Sequence, residues 1–157
     1  MGLTRPLSDV EIAHRLAANR GRALHDPYPP EFFSHPASPA AVLLPLFWAG
    51  GDWRLLLIRR ACNPGDWHSG QVAFPGGRPE AGDADAAATA LREAREEIGL
   101  DPARVRMLGR LPAYHTATNY LIEPVVGQIP WPLALRRQPR EVSRIFSIPL
   151  GWLADPT

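Results

Sequence analysis

Apolar residues near the N-terminus recur with the period of a helix. Ile12 and Leu16 lie four positions apart, as a helix with one apolar face requires, and Ser8 and Glu11 have the spacing of a capping box. The pattern therefore predicts a short helix that begins at Ser8 and extends to about residue 20. Prolines recur through residues 26–39, which predicts an extended lead-in without regular strand pairing.

From residue 40 onward, apolar runs of strand length are separated by turn residues. Ala-Gly-Gly-Asp at residues 49–52 joins the first two runs and predicts a hairpin. A longer segment of helical period has Asp83 or Asp85 as a candidate N-cap, and Gly99 suits the left-handed position just past its end. The predicted strands are residues 41–48, 53–59, 71–74, 105–111, 120–127 and 142–148, and the predicted central helix is residues 86–98.

This order of elements indicates an α/β (α+β) fold with one dominant central helix. A chain of 157 residues, 45% of them apolar, is long enough for one core and too short for two comfortable domains. We therefore predict a single domain at residues 40–157. The N-terminal helix and the proline-rich lead-in precede it at residues 1–39.

Charge and cysteine content narrow the possible functions. The 17 basic residues, all arginine, stand against 16 acidic ones, so the bulk charge does not indicate a nucleic-acid partner and an anionic ligand must be held locally. Cys62 is the single cysteine, which excludes an internal disulfide and fits a reducing compartment. No apolar run approaches ~18 residues. We expect a cytoplasmic protein without a membrane partner.

The chemistry-bearing residues gather at the end of the predicted central helix. Glu93 and Glu97 share one helix face, with Glu96 beside them at the three-residue spacing. A divalent cation would remove the repulsion between them, and ligands made only of oxygen favour Mg²⁺ or Mn²⁺ before Zn²⁺. Arg92 lies four positions before Glu96 and can brace a carboxylate. The same run of charges is also typical of an ordinary solvated helix face, so these residues alone leave both interpretations open.

Two further groups are candidates for the same site. The Gly76-Gly77 pair predicts a turn that permits close backbone approach, so that a carbonyl of Gly77 becomes a candidate metal ligand. Glu141 is an additional candidate as a metal ligand or base, and its alternative is a surface ion pair with Arg140.

The whole array resembles the Nudix box, G-x5-E-x7-R-E-U-x-E-E-x-G-U, in which U is a bulky aliphatic residue. The matching run is Arg92-Glu93-Ala94-Arg95-Glu96-Glu97-Ile98-Gly99-Leu100. Two departures stand out. Ala94 replaces the bulky aliphatic residue, and Ala84 falls where the box has Glu, so that Asp83 takes the acidic position if one extra residue precedes Arg92.

The resemblance implies a Nudix fold, a mixed sheet sandwiched between helices. It also implies that metal-activated water hydrolyses a pyrophosphate linkage in a nucleotide. Glu93 and Glu97 would then be the principal ligands of Mg²⁺ or Mn²⁺, and Glu96 a secondary ligand or the base. The candidate catalytic residues are Arg92, Glu93, Glu96 and Glu97, and the candidate metal ligands are Glu93, Glu96, Glu97, Gly77 and Glu141.

A second resemblance is to coenzyme A pyrophosphatases, whose signature precedes the box. It is carried by residues 56–61 and by His68-Ser69-Gly70-Gln71-Val72-Ala73-Phe74-Pro75-Gly76-Gly77, and with later strands it covers most of residues 40–152. Asp66 stands where the signature usually has Arg, one residue is inserted between Ala61 and Asp66, and Ile58 replaces a Thr. The implied substrate is coenzyme A or an acyl derivative, cleaved to 4′-phosphopantetheine and adenosine 3′,5′-bisphosphate.

Two alternatives remain open. One is a Nudix hydrolase of another nucleoside diphosphate derivative, such as ADP-ribose or a dinucleotide. The other is a Nudix-like module that binds a nucleotide without cleaving it.

The loop at residues 66–77 is predicted to line the substrate cleft because it leads to the Gly-Gly pair. Strand alternation would turn Arg59 and Arg60 to opposite faces. Phe74 is expected to pack in the core as well as near the ligand, and Tyr120 can pack or stack on a base. The candidate substrate-binding residues are Arg59, Arg60, Gln71, Phe74, Gly76, Gly77 and Tyr120.

The family continues past Leu150 with another segment and a closing helix, whereas this sequence stops at Thr157. We therefore expect a C-terminal part that is short or missing. Bare sheet surface there would be available to a partner chain, such as a second copy in a homodimer.

Overall fold

The computed structural model describes residues 6–19 and 27–153. Helix α1 spans Asp9–Ala18 and begins with the predicted capping box. The Ser8 side chain accepts a hydrogen bond from the Glu11 N–H, and the Glu11 carboxylate accepts one from the Ser8 N–H. The N-terminal helix is thus confirmed, and its predicted end at residue 20 lies outside the described residues.

The following elements form one mixed sheet with two more helices. Gly50 and Gly51 form the predicted hairpin turn between the first two strands, with φ angles of 62° and 80° that suit a two-residue turn. The central helix has the predicted bounds, and the short strand at Tyr114 and His115 was not predicted. The elements are β1 (Ser38–Ala49), β2 (Asp52–Arg60), β3 (Val72–Ala73), β4 (Gly76–Gly77), α2 (Ala86–Ile98), β5 (Arg106–Arg110), β6 (Tyr114–His115), β7 (Tyr120–Gln128), β8 (Val142–Pro149) and α3 (Leu150–Leu153).

Strand order in the main path of the sheet is β3-β2-β1-β7-β5, with β4 added to β1, β6 to β7 and β8 to β2. β1 and β7 run parallel, whereas β1 pairs with β2 and β4 in antiparallel fashion. The predicted mixed sheet is therefore confirmed. This arrangement brings the end of β2, the start of β8 and the short strand β4 towards one edge, where α2 also packs.

Both faces of the sheet are covered by helices. Side chains alternate along β1, so Leu43 and Phe47 pack beneath α2 while Leu46 packs on the opposite face beneath α1. Ile12 and Leu16 are the buried residues of α1. The sandwich of a sheet between helices is confirmed. Among the described residues, no helix has the length and apolar character needed to cross a membrane.

The docking of α1 gives a stability prediction. Leu16 is only 9% exposed and packs in the cluster beneath α1, whereas Val10 on the same helix is 67% exposed. Leu16→Ala should lower the free energy of unfolding by about 2–4 kcal/mol because it removes buried contacts and leaves a cavity. Val10→Ala is the matched control and should change it by less than about 0.5 kcal/mol. Urea denaturation of both variants measures the difference, and equal effects would show that α1 does not stabilise the fold.

Gly76 and Gly77 form a two-residue strand, so the predicted turn at this position is wrong. Gly76 pairs with Val42 and Gly77 with Ala41. A Cβ atom on Gly76 would lie 2.7 Å from the Cα atom of Val42, well inside the normal contact distance. Glycine is required here because two backbones approach closely.

Strand β1 begins at Ser38, two residues before the predicted start of the domain. The segment just before α1 and the lead-in are both hydrogen-bonded to residues beyond position 40. The Trp53 Nε1–H donates to the Leu7 carbonyl over 2.5 Å, and Asn119 Nδ2 donates to the His35 carbonyl over 3.0 Å. The division at residue 40 remains a prediction about domain organisation.

Candidate active site

The orientation of α2 is fixed by its two ends and its apolar face. Asp85 is the N-cap, and its side chain accepts a hydrogen bond from the Ala88 N–H over 2.9 Å. Gly99 ends the helix in the left-handed conformation, with φ at 66°. Ala90 and Ala94 are fully buried against the sheet between these ends. The glutamate face is consequently turned to the sheet edge that carries β4.

Glu97 is the most deeply buried acidic residue of the described part of the chain, with only 3% of its surface exposed. Its Oε2 atom accepts a hydrogen bond from the Gly76 N–H over 3.0 Å. Burial, together with the negative charges of Glu93 and Glu141, raises the pKa of Glu97 to about 8 despite this hydrogen bond. The ionised form of a carboxyl group buried in this way is unfavourable to the fold unless a cation compensates its charge.

Glu93 lies one helical turn before Glu97 and also points at β4. Its side chain is 16% exposed and accepts a hydrogen bond from Arg92 Nη1 over 3.1 Å. Burial raises the pKa of Glu93, opposed by the charge of Arg92. A Cβ atom added to Gly77 would lie 2.5 Å from the Glu93 carboxyl carbon, so the carboxylate occupies the space that glycine leaves free.

Arg92 forms ion pairs with several of the acidic residues around Glu93. Its guanidinium contacts Asp83 at 3.0 Å and Glu96 at 3.3 Å, besides Glu93, and it donates to the Arg78 carbonyl over 2.9 Å. The predicted bracing contact with Glu96 is therefore confirmed. The hydrogen bond from Arg92 lowers the pKa of Asp83 to about 2, so this carboxylate stays ionised. Asp85 rather than Asp83 caps the helix, which resolves the two alternatives.

The two outer glutamates lie at different places around the buried pair. The Glu96 side chain is 53% exposed and lies at the solvent edge, where it contacts Arg92. Glu141 precedes β8, and its charge raises the pKa of both Glu93 and Glu97, which places it within electrostatic reach of them. The structure thus brings the predicted glutamates to one edge of the sheet.

The donor chemistry of this edge fits a hard divalent cation. No three His, Cys, Asp or Glu side chains in residues 6–19 and 27–153 already surround one point at metal-binding distances. Glu97 instead accepts from Gly76, and Glu93 accepts from Arg92. Glu93 and Glu97 nevertheless offer only oxygen ligands, and both have raised pKa values. Their carboxylates repel each other when both are ionised, and Mg²⁺ or Mn²⁺ suits such a pair.

The predicted substrate-binding arginines make different contacts at the end of β2. Arg59 is exposed, and its Nε–H donates to the Gly70 carbonyl over 3.1 Å. Arg60 is partly buried and forms an ion pair with Asp66 at 3.2 Å. A register shift between Arg59 and Arg60 in the pairing with β8 marks a bulge there. Gln71 lies at the end of the loop between β2 and β3, and its side chain contacts that of His68 over 3.1 Å.

The two predicted aromatic contacts lie in different surroundings. Phe74 packs with the cluster beneath α1, on the face of the sheet opposite α2, which favours its packing role. The Tyr120 hydroxyl accepts a hydrogen bond from Arg78 Nη2 over 2.5 Å, and the same guanidinium lies 5.2 Å from the centre of the Tyr120 ring. Tyr120 is partly buried beside the residue that follows the glycine pair.

Sequence reasoning missed two parts of this site. Arg78 links Tyr120 to Arg92, and the available signal was its position directly after Gly77. The segment before β8 covers the C-terminal end of α2, where the Arg136 N–H donates to the Ile98 carbonyl over 2.9 Å and the Gln138 N–H to the Glu97 carbonyl over 2.7 Å. The sequence carried no signal for this cover because the contact joins distant parts of the chain.

The sheet lies between helices, and α2, the acidic helix, packs against β4, the Gly-Gly strand. This arrangement is that of a Nudix-type domain. The model of the NUDIX domain family matches residues 37–152. The chain therefore belongs to the Nudix family, as the resemblance implied. Within this family it is similar to curated proteins that are described as Nudix hydrolases.

Two such relatives are the uncharacterized Nudix hydrolases NudL of Photorhabdus laumondii and Escherichia coli K12. The first is 43% identical over 125 residues, which cover 80% of this chain and 66% of the relative. The second is 45% identical over 112 residues, which cover 71% of this chain and 57% of the relative. The chain thus spans between 57% and 66% of the length of these two proteins.

Solved structures show the same fold at low sequence identity. An Ap4A hydrolase of C. elegans in a binary complex has a TM-score of 0.60 at 17% identity, over 74% of this chain and 82% of that one. The NUDIX domain of Shewanella oneidensis NrtR complexed with ADP ribose has a TM-score of 0.56 at 20% identity, over 82% of each chain. The predicted Nudix fold is confirmed by these likenesses.

Proposed function

We propose that this chain is a metal-dependent hydrolase of a pyrophosphate linkage in a nucleotide derivative, and that coenzyme A or an acyl-coenzyme A is its preferred substrate. One observation carries the hydrolase proposal. The buried carboxyl group of Glu97 and the partly buried one of Glu93 are held against Gly76 and Gly77 at a sheet edge. A purely structural helix face has no reason to bury one carboxyl group completely beside a second one.

The residues divide the work of such a reaction. A bound Mg²⁺ or Mn²⁺ would supply charge neutralisation on the diphosphate and activation of water. Glu93 and Glu97 would hold the cation, with Gly77 and Glu141 as candidate additional oxygen ligands. Arg92 fixes the positions of Glu93 and Glu96 through its hydrogen bonds. Glu96 is the most exposed of the three glutamates of α2 and is the candidate base or secondary ligand.

The choice of coenzyme A rests on sequence likeness. The residues from His68 to Gly77 resemble the signature of coenzyme A pyrophosphatases, and this segment lies between Arg60 and the acidic helix. The alternative substrates are ADP-ribose and dinucleotides. They are favoured by the fold likeness to an Ap4A hydrolase and to a Nudix domain solved with ADP ribose.

A nucleotide panel tests the proposal. Coenzyme A, ADP-ribose and diadenosine tetraphosphate are each incubated with the protein and Mg²⁺ or Mn²⁺, and products are separated by ion-exchange chromatography. We expect coenzyme A to give the highest kcat/KM, with adenosine 3′,5′-bisphosphate as a product, and chelator to abolish turnover. A preference for ADP-ribose or diadenosine tetraphosphate would replace coenzyme A as the substrate and leave the proposed hydrolase activity unchanged. Binding without cleavage would identify a nucleotide-binding module instead.

Association with a second copy also remains a proposal. Trp152 and Leu153 in α3 are 67% and 55% exposed, and they are the last large apolar residues of the described part. Sedimentation velocity on the full chain distinguishes a monomer from a homodimer.

A further inference from the structure

Arg60 uses only part of its hydrogen-bonding capacity. Its Nη2 atom contacts Asp66 Oδ2 at 3.2 Å, whereas its Nε atom is buried without a hydrogen-bond partner among the described residues. Nε and Nη2 lie on the same edge of the guanidinium, the edge that binds two oxygens of a carboxylate or phosphate at once. A buried donor without an acceptor is unfavourable, so the unpaired Nε–H on this edge is suited to donate to an anionic oxygen of a ligand.

Asp66 is held in a way that prevents it from filling the edge. Its Oδ1 atom accepts a hydrogen bond from the His68 N–H over 2.9 Å, which leaves only Oδ2 for Arg60. The hydrogen bond from His68, followed by that from Arg60, lowers the pKa of Asp66, so the carboxylate carries its full charge at neutral pH. Asp66 therefore neutralises Arg60 without satisfying it.

The pair also lies at the right place for a substrate phosphate. Arg60 is the last residue of β2, and its positive charge acts on Glu97, the buried carboxylate of the acidic helix. Asp66 belongs to the loop that leads from β2 through β3 to the Gly-Gly strand. An anion bound at Arg60 would thus lie between this loop and the acidic helix. The proposed substrate has phosphates that match this requirement.

We propose that Arg60 and Asp66 form a phosphate subsite closed by an internal carboxylate. A substrate phosphate displaces Asp66 from Arg60 and engages both Nε and Nη2, and Asp66 thereby lowers the affinity of the site for phosphate-bearing ligands. This inference rests on the proposed function only in taking a nucleotide diphosphate as the ligand. Asp66 is the position at which the chain departs from the arginine of the coenzyme A pyrophosphatase signature, so the device belongs to this chain's own sequence.

Isothermal titration of ADP in buffer containing Mg²⁺ tests the subsite. Asp66→Asn removes the charge and keeps an amide oxygen for the His68 N–H. We expect this variant to bind ADP at least about fivefold more tightly than wild type, since a charge-assisted contact to Arg60 becomes available. Adding Arg60→Ala to Asp66→Asn should then weaken binding at least about tenfold. Asp52→Asn, at the opposite end of β2, is the charge-matched control and should leave the dissociation constant within about 1.5-fold.

Each other result overturns the proposal. If Asp66→Asn binds ADP no more tightly than wild type, with an unchanged thermal midpoint to show that it is folded, Asp66 does not occupy a phosphate position. If the double variant keeps the gain in affinity, the effect is general repulsion and Arg60 is not the contact. Absence of ADP binding in all variants excludes the subsite. Turnover on the nucleotide panel is measured separately, so failure of hydrolysis with an intact affinity pattern would reject the enzyme and not the subsite.

Discussion

Glu97→Gln should reduce kcat to a tenth of the wild-type value or less while leaving the protein at least as stable. The amide keeps the shape of the side chain and an oxygen for the Gly76 N–H. It removes the negative charge that would hold a cation, and loss of a charged metal ligand raises the barrier by at least about 1.4 kcal/mol. The same change removes the desolvation penalty of a carboxylate that is only 3% exposed.

The opposite directions of the two effects make this prediction discriminating. Turnover is measured on whichever panel nucleotide the wild type cleaves best, and stability by thermal unfolding with chelator present. Glu31→Gln, an exposed glutamate in the 3-10 turn before β1, is the control and should change neither quantity. A Glu97→Gln variant that loses stability and keeps more than a tenth of its activity would assign Glu97 a structural role.

Gly77→Val should abolish most of the activity, with a loss on the order of a hundredfold, in a protein that still folds. A side chain at this position would enter the space of the Glu93 carboxylate, whose carboxyl carbon would lie 2.5 Å from the new Cβ atom. Because that carboxylate ends a flexible side chain near the protein surface, it can rotate away at modest expense in stability. The displaced Glu93 would no longer face the same point as Glu97.

Two other glycines provide matched comparisons for Gly77. Gly76→Ala should instead destabilise the fold, since its Cβ atom would lie 2.7 Å from the backbone of Val42, which cannot move aside. Gly82→Val lies in the loop before α2 and meets no atom within 4 Å, so it should leave activity and stability near wild type. Thermal midpoints and kcat for the three variants are compared. Wild-type turnover by Gly77→Val would show that β4 is not part of the active site.

Local sequence was sufficient for the elements whose signals are short-range. The capping box at Ser8 and Glu11, the Gly50-Gly51 turn and the left-handed Gly99 each depend on residues within a few positions of one another. Helical spacing likewise placed the glutamates of α2 on one face. These features are determined by backbone propensity and capping, which the sequence states directly.

The sequence misassigned or missed features that depend on contacts between distant residues. The glycine pair was expected as a turn and is a strand, because its partner Val42 lies more than 30 positions earlier in the chain. The burial that separates Glu97 from the exposed Glu96 could not be read from their spacing on one helix. The difference in burial arises because Glu97 lies on the side of α2 that packs against the sheet, whereas Glu96 lies on the side that faces solvent.

The sequence by itself therefore determined the family, the bounds of helix α2 and the placement of its glutamates on one face as a candidate site. Only the tertiary structure decided which carboxylates are desolvated, and that Arg60 is already paired with Asp66 across the loop. The physical reason is that helix and turn signals are local, whereas burial and ion pairing depend on which distant groups exclude water from a given atom. The electrostatics of the site arise at that second level.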